Sequence, residues 1–148
     1  MAADFADWLA ICETKARYCR FMDTKDWAGW ADCFTEDLVL DTSLAGGSRI
    51  EGRDAAIAYV RGSIDQAKTA HQVHNPEVVF DGPDAANVVW AMNDRVEMAP
   101  DRQRASGHGG HTGYGHYREK YRRCADGRWR IAQSQLSYLH FDPHPPKG

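Results

Sequence analysis

The chain has 148 residues, of which 43% are hydrophobic and 26% are charged, with a formal net charge of −3. This length and composition predict one globular domain over residues 1–148 and exclude a disordered chain. The small negative charge gives no electrostatic reason to expect nucleic acid or an anionic membrane as a partner. No apolar run approaches the roughly 20 residues that span a bilayer, and the opening residues lack the features of a signal peptide. We therefore expect a cytoplasmic protein.

The first half of the sequence predicts three helices and a short strand. Apolar residues recur every three or four positions from Phe5 to Met22, which is typical of an amphipathic helix, and Lys15 is assigned to its polar side. A short second helix is expected to begin near Asp26, a residue type suited to the N-cap. Residues 38–40 follow as a strand, and residues 54–64 as a third helix.

The second half predicts strands, because its segments alternate or run apolar between turn residues. The predicted strands cover residues 70–80, 86–98, 113–123 and 128–141. Residues 100–112 are interpreted as a polar, glycine-containing loop, and residues 143–148 as a flexible tail. Helices followed by a run of antiparallel strands indicate an α+β fold. We expect a cone-shaped α+β barrel, with three N-terminal helices packed in the concave face of a curved, mostly antiparallel sheet.

Several short strings carry a resemblance to a known superfamily. They are Tyr18-x-x-x-x-Asp23, Lys25-Asp26-Trp27, Phe34-Thr35-Glu36-Asp37, Glu51-Gly52-Arg53, Thr69-Ala70-His71, Gly115-His116-Tyr117-Arg118 and Asp126-Gly127-Arg128-Trp129-Arg130-Ile131. In order and spacing they resemble the SnoaL-like branch of the nuclear transport factor 2-like superfamily over nearly the whole chain. The resemblance implies the cone fold, but the superfamily includes isomerases, cyclases, hydrolases and non-catalytic binders, so it does not settle function.

A narrower resemblance concerns one acid/base pair. Scytalone dehydratase, bile acid 7α-dehydratase and lindane dehydrochlorinase each pair an aspartate at the end of the first helix with a histidine on a strand. The residues here that resemble this pair are Asp23 and His71, and the likeness to the bile acid dehydratase extends to Tyr18 and Asp94. The second catalytic histidine of scytalone dehydratase and the catalytic lysine of the dehydrochlorinase have no clear counterpart.

The four residues Tyr18, Asp23, His71 and Asp94 suit an elimination of water. Histidine is a suitable base near neutral pH, and a carboxylate on its other ring nitrogen fixes the tautomer. Asp23 is assigned this orienting role beside His71, while Tyr18 and a protonated Asp94 are assigned to donate to substrate oxygens. A structural alternative stays open for each residue of the pair. In these alternatives, Asp23 only terminates the first helix, and His71 is only a partly buried residue of a strand.

The candidate substrate-binding residues are Trp90, Met92, Tyr114 and Arg118. Aromatic side chains favour a small, apolar, cyclic substrate carrying a few oxygens, although most aromatic residues in such a chain belong to the core. His108, His111 and His116 offer imidazoles at short spacing, but the surrounding glycines favour a solvated loop. We therefore predict neither a metal nor a cofactor. The four cysteines contain no Cys-x-x-Cys pair and are expected to be reduced.

Three functions are compatible with these features. The leading hypothesis is a cofactor-independent, dehydratase-like lyase acting on a cyclic, aromatic or steroid-like ketone or alcohol by His/Asp acid–base catalysis. The second is a ketosteroid-isomerase or polyketide-cyclase type of isomerase. The third is a non-catalytic module that binds a small ligand or a second subunit. In each case, the resemblance implies a homodimer or homotrimer formed through the sheet.

Overall fold

The computed structural model describes residues 5–147, which form four α-helices and one six-stranded sheet. The helices are α1 (Phe5–Thr24), α2 (Trp27–Ala31), α3 (Arg53–Ile64) and α4 (Pro100–Ser106), with a 3-10 turn at Ser43–Ala45. The strands are β1 (Phe34–Asp41), β2 (Arg49–Glu51), β3 (Lys68–Phe80), β4 (Ala85–Glu97), β5 (Gly110–Arg123) and β6 (Trp129–His144). None of these helices combines the length and the apolar character needed to cross a bilayer. Residues 1–4 and Gly148 lie outside the described residues.

The sheet has the strand order β2-β1-β6-β5-β4-β3. All neighbouring strands are antiparallel except β1 and β6, which run parallel. Helix α1 packs across β3 and β6, and α3 packs on β1. The predicted α+β fold, with helices on a curved and mostly antiparallel sheet, is confirmed.

The end of α1 is shaped by two local features. Lys25 has a left-handed backbone with φ of 61°, which stops the helix just after Asp23 and turns the chain. The Asp26 side chain then accepts a hydrogen bond from the backbone N–H of Gly29 at 2.9 Å, so Asp26 caps α2 as predicted. Asp23 is thereby held at the last turn of α1, where the helix meets β3.

The buried face of α1 differs from the one predicted. The residues it buries are Ile11, Thr14, Lys15, Tyr18, Cys19 and Met22. Phe5 and Leu9, which belonged to the predicted apolar face, are 69% and 41% exposed. Lys15 is fully buried, so its assignment to the polar side was wrong. The reason is that Lys15 follows Ile11 by one helical turn and meets an opposite charge inside the fold, as described below.

Two segments predicted as irregular are ordered elements. Residues 100–106 form α4, and β5 begins at Gly110, so the predicted loop over residues 100–112 was wrong. Gly110 has φ of +124° and lies directly against the backbone carbonyl of Val96 on β4, where a side chain would not fit. Glycine at this position therefore allows close pairing of β4 with β5, and it does not indicate a flexible loop. Strand β6 continues to His144, and the backbone N–H of Lys147 donates to Gln103 on α4 at 2.8 Å. The described part of the predicted tail is therefore anchored.

Candidate active site

The structure brings Asp23 and His71 into direct contact. The Nδ1 atom of His71 lies 2.7 Å from Oδ1 of Asp23, and the backbone N–H of His71 donates to Oδ2 of the same carboxylate at 2.8 Å. The side chain of His71 is 8% exposed and that of Asp23 22%. The end of α1 and the strand β3 are thus joined by a carboxylate that binds both the ring and the backbone of His71.

A second group of contacts orients the Asp23 carboxylate. The hydroxyl of Thr69 donates to Oδ1 of Asp23 at 2.9 Å, and the ammonium group of Lys25 donates to the Thr69 hydroxyl at 2.8 Å. Burial lowers the pKa of Lys25, while the charges of Asp23 and Asp65 oppose that shift. Asp23 therefore accepts three hydrogen bonds, two of them from His71, and its orientation is fixed from several sides.

This pairing determines the tautomer of His71. An ionised carboxylate can only accept hydrogen bonds, so the hydrogen of the neutral ring lies on Nδ1. The Nε2 atom then carries the free lone pair, and it makes no hydrogen bond to any of residues 5–147. His71 is thus oriented as a base whose reactive nitrogen is unoccupied.

Asp94 lies on the other side of the His71 ring. It is opposite His71 in the pairing of β3 with β4, and its Oδ2 atom is 4.0 Å from Nε2 of His71. The hydroxyl of Tyr138 donates to the same Oδ2 at 2.6 Å, and Nε2 of His111 lies 3.4 Å from it. The ring of His71 is therefore flanked by two carboxylates, one at each nitrogen.

Gly113 makes the contact between Asp94 and Tyr138 possible. It pairs with Asp94 across the β4–β5 ladder and with Phe141 across the β5–β6 ladder. A Cβ atom at Gly113 would lie 2.6 Å from Oδ1 of Asp94 and would overlap the Tyr138 ring. The missing side chain thus leaves room for a tyrosine from β6 to reach a carboxylate on β4.

The ionisation of Asp94 differs from the predicted one. Burial is the largest single effect and raises the pKa of Asp94. The hydrogen bonds from His111 and Tyr138, together with the charges of His111 and His71, lower the pKa by more than burial raises it. The net pKa lies below the ordinary value of 3.8. The neighbours of Asp94 thus stabilise its charged form, which does not favour the protonated donor that was predicted.

We expect Tyr138→Phe to reduce stability in a pH-dependent way. Because the folded pKa of Asp94 is depressed, its contribution to stability is present above about pH 4 and is lost as the pH falls through the folded pKa. Removing the phenol hydroxyl raises that pKa. The unfolding free energy of the variant should be lower than that of the unsubstituted protein by about 1.5–3 kcal/mol at neutral pH. This difference should be smaller at about pH 3, as measured by urea unfolding at both pH values.

Tyr114→Phe is the matched control for this prediction. Tyr114 is 51% exposed and lies on β5, so removing its hydroxyl should leave stability nearly unchanged at both pH values. An equal loss for Tyr138→Phe at neutral and acidic pH would contradict the prediction. It would show that the tyrosine acts through packing rather than through its hydrogen bond to a charged carboxylate.

A cleft of about 610 Å³ opens beside His71, between α1 and β3. Its walls include Trp8, Cys12, Ala16, Cys19, Val73 and Trp90, together with His71 itself. None of the residues that line this cleft is a lysine, arginine, aspartate or glutamate. Both cysteines in the wall are free thiols. Gln72, His74 and Pro76 complete the lining. The cleft is therefore a largely apolar space whose polar side chains are two imidazoles and one amide.

The four predicted substrate-binding residues divide into two pairs. Trp90 and Met92 are 4% and 3% exposed and share a face of β4 with Asp94, and Trp90 lines the cleft. Tyr114 and Arg118 are exposed on β5, where they alternate with the buried Tyr117. Strand alternation places them on the outer face of the sheet, so the structure does not bring them to the site.

Tyr18 belongs to a buried cluster of aromatic side chains. Its ring packs edge-on against Phe34 and Tyr117 and lies under the ammonium of Lys15, 3.6 Å from the ring centroid. Burial raises the pKa of Tyr18 well above its ordinary value, which keeps the phenol neutral. Among residues 5–147, its ring stacks on none of the other three predicted catalytic residues, and its role towards substrate stays a prediction.

Two residues of the site were not predicted. His111 was assigned to a solvated loop, whereas it is the second residue of β5 and lies next to Asp94. Tyr138 was not singled out, because two register shifts along the β5–β6 ladder break the alternation that would have placed it inside. Within the part of the chain that the structure describes, no group of three or more His, Cys, Asp or Glu side chains is arranged to hold a metal ion.

Comparisons with known proteins support this fold. A model of the SnoaL-like domain matches residues 3–135, and no protein of curated function matches the sequence. A candidate scytalone dehydratase from Novosphingobium aromaticivorans superposes with a TM-score of 0.81 and 19% identity, over 97% of this chain and 91% of that chain. The resemblance inferred from the sequence motifs is thereby confirmed.

Two further solved structures share the architecture. A type 2 hexachlorocyclohexane dehydrochlorinase, LinA, has a TM-score of 0.80 and 16% identity, over 97% of this chain and 92% of that chain. A protein of unknown function from Mycobacterium tuberculosis has a TM-score of 0.74 and 29% identity, over 91% of this chain and 77% of that chain. At these identities, the dehydratase and the dehydrochlorinase establish the fold and not a shared reaction.

Proposed function

The chain belongs to the SnoaL-like domain family, and within it we propose a cofactor-independent lyase of the dehydratase type. The proposed substrate is a neutral, cyclic β-hydroxy ketone or a related alcohol. The observation that carries the proposal is the 2.7 Å contact between Asp23 and Nδ1 of His71, which leaves Nε2 of His71 unbonded. Two proteins of similar structure, a candidate scytalone dehydratase and a hexachlorocyclohexane dehydrochlorinase, are named for eliminations, which supports the proposal.

In the proposed reaction, Nε2 of His71 takes the proton from the carbon next to the carbonyl. The imidazolium that forms would lie between Asp23, at 2.7 Å from Nδ1, and Asp94, at 4.0 Å from Nε2. Two carboxylates stabilise a cation more than they stabilise a neutral ring. This arrangement thus favours the state that follows proton abstraction, which is the state that catalysis must stabilise.

The same contacts argue against an aspartate as the base. Asp23 already accepts three hydrogen bonds, and the pKa of Asp94 is lowered below its ordinary value. A carboxylate with a depressed pKa is a weak base at neutral pH. The geometry therefore favours the histidine-based elimination over an isomerase in which an aspartate moves the proton.

The cleft indicates the chemical class of the substrate. Its lining residues carry no permanently charged side chain, so an anionic or cationic ligand would lose solvation there without a counter-charge. Trp8, Val73 and Trp90 provide apolar walls beside His71. A neutral fused-ring ketone is the kind of ligand that such a cleft can desolvate.

The proposal is tested with two probes that separate proton abstraction from elimination. Tetralone in D₂O reports deuterium exchange at the carbon next to the carbonyl, and β-hydroxytetralone reports loss of water through formation of the naphthol. We expect the protein to accelerate both reactions over buffer. A β,γ-unsaturated cyclohexenone tests the isomerase alternative, because its conversion releases no water.

Each outcome decides between the functions. Naphthol formation supports the dehydratase, whereas conversion of the unsaturated ketone alone would assign an isomerase. Binding of tetralone without exchange and without naphthol formation would overturn the enzyme proposal and favour a non-catalytic binding module.

A further inference from the structure

The site contains a second imidazole that the proton abstraction does not use. His111 enters from β5, and its Nε2 atom lies 3.4 Å from Oδ2 of Asp94 and 3.3 Å from the hydroxyl of Tyr138. Its ring stacks on Phe141 with centroids 4.6 Å apart, and its side chain is 21% exposed. His111 is therefore held in place on one side and open to solvent on another.

The two imidazoles converge on one oxygen atom. Nε2 of His71 lies 4.0 Å from Oδ2 of Asp94, and Nε2 of His111 lies 3.4 Å from the same oxygen. Nε2 of His111 makes a long hydrogen bond to this oxygen, whereas Nε2 of His71 lies beyond hydrogen-bond distance. One imidazole with a free nitrogen and a second whose nitrogen faces a carboxylate are the groups needed for a base and an acid acting on adjacent carbons.

We propose that His111 is a second catalytic residue, the acid that protonates the leaving oxygen, and that the site is therefore built for substrates that lose a hydroxyl group. The inference rests on the proposed function, because it assigns the partner of the base His71. A hydroxyl is a poor leaving group and needs a proton as it departs, whereas a halide departs without one. An acid beside the base thus specifies dehydration rather than dehydrohalogenation.

The proposed step is balanced in protons and electrons. The C–H bond breaks, its proton goes to Nε2 of His71, and its electron pair forms the new C=C bond. The C–O bond breaks with its electron pair on oxygen, which takes the Nε2 proton of the His111 imidazolium and leaves as water. His71 has then gained the proton that His111 has lost, and exchange of protons with solvent, to which the His111 side chain is 21% exposed, restores both rings before the next turnover.

Tyr138 is less suited to the acid role. Its hydroxyl donates to Asp94 at 2.6 Å. Burial raises its pKa far above the ordinary value, and the charge of Asp94 and the hydrogen bond to it raise it further. A phenol with so high a pKa transfers its proton poorly at neutral pH. Its contact instead keeps Asp94 ionised and in place, which makes it a positioning residue.

The test compares His111→Gln with the unsubstituted protein on the same two probes. Glutamine retains a donor that can reach Asp94 but cannot supply a proton. We expect dehydration of β-hydroxytetralone to fall about 10²- to 10⁴-fold, while deuterium exchange of tetralone, which needs only His71, stays within about threefold. His116→Gln, on the same strand with its side chain on the outer face, is the matched control and should leave both rates unchanged.

The outcomes separate this inference from the proposed function. Unchanged dehydration by His111→Gln would overturn the acid role and leave His71 to return its own proton to the leaving group. A parallel fall in exchange and dehydration would overturn it in favour of a structural role. If the unsubstituted protein neither exchanges tetralone nor forms naphthol, the proposed function itself fails, and the assignment of His111 fails with it.

Discussion

Replacing His71 by glutamine is expected to reduce both tetralone exchange and naphthol formation to the rate in buffer. Because Asp23 binds Nδ1 of His71, the lone pair on Nε2 of that ring is free to accept a proton, and a missing general base costs about 10²- to 10⁴-fold. The fold should persist, since Asp23 still accepts hydrogen bonds from Thr69 and from the backbone at position 71. Circular dichroism and steady-state kinetics check both parts.

Asp23→Asn tests whether the two residues act as one unit. An amide nitrogen facing Nδ1 would donate to the ring and move its hydrogen to Nε2, the nitrogen that must accept the substrate proton. Loss of the correct tautomer is expected to be nearly as damaging as loss of the histidine, and the double variant should be no slower than His71→Gln alone. His140→Gln, exposed on β6, is the control. Activity retained by either single variant would contradict the acid–base couple.

The sequence was most informative where local rules and the resemblance agreed. Asp26 has the residue type of an N-cap and forms one, as predicted, and the alternation of β3 leaves His71 partly buried while His74 is exposed. The contact of Asp23 with His71 followed from the resemblance rather than from spacing, because no local rule reports which helix end meets which strand. Such contacts depend on the register of α1 along the sheet.

The residues that the sequence misplaced share a physical cause. His111 stands beside glycines that suggest a mobile loop, but Gly110 is required for close approach to Val96. Lys15 is charged, but it follows Ile11 by four positions and precedes Met22 by seven, on the buried face of α1. In both cases the residue type, or that of its neighbours, predicted an exposed side chain, but tertiary contacts place the side chain inside the fold. Strand parity would have found Glu119, which lies between the buried Tyr117 and Tyr121.

Lys15 and Glu119 form an ion pair that is wholly buried, with both side chains 0% exposed and 2.6 Å between Nζ and Oε1. Glu119 also accepts hydrogen bonds from Tyr121 at 2.7 Å and from Ser134 at 2.8 Å. The Lys15 ammonium lies over the ring of Tyr117, 3.7 Å from its centroid. This network joins the middle of α1 to β5 and thereby helps to fix the helix that carries Asp23.

Glu119→Ala is expected to be the most destabilising substitution of this network. It leaves the Lys15 charge and the hydroxyls of Tyr121 and Ser134 without their acceptor, and the loss of one partner from a buried pair costs about 3–5 kcal/mol. A domain of this kind has an unfolding free energy of about 5–15 kcal/mol. The urea concentration at the midpoint of unfolding should therefore fall by a large fraction of its value.

Matched variants separate the charge from the packing. Lys15→Met combined with Glu119→Gln removes both charges while keeping an acceptor for the two hydroxyls, and we expect it to be more stable than Glu119→Ala or Lys15→Met alone. Lys120→Met, next in sequence but exposed, should stay within about 0.5 kcal/mol of the unsubstituted protein. If Glu119→Ala unfolds no earlier than Lys120→Met, the pair does not hold α1 against the sheet, and the position of Asp23 must be fixed by its own contacts with Thr69 and His71.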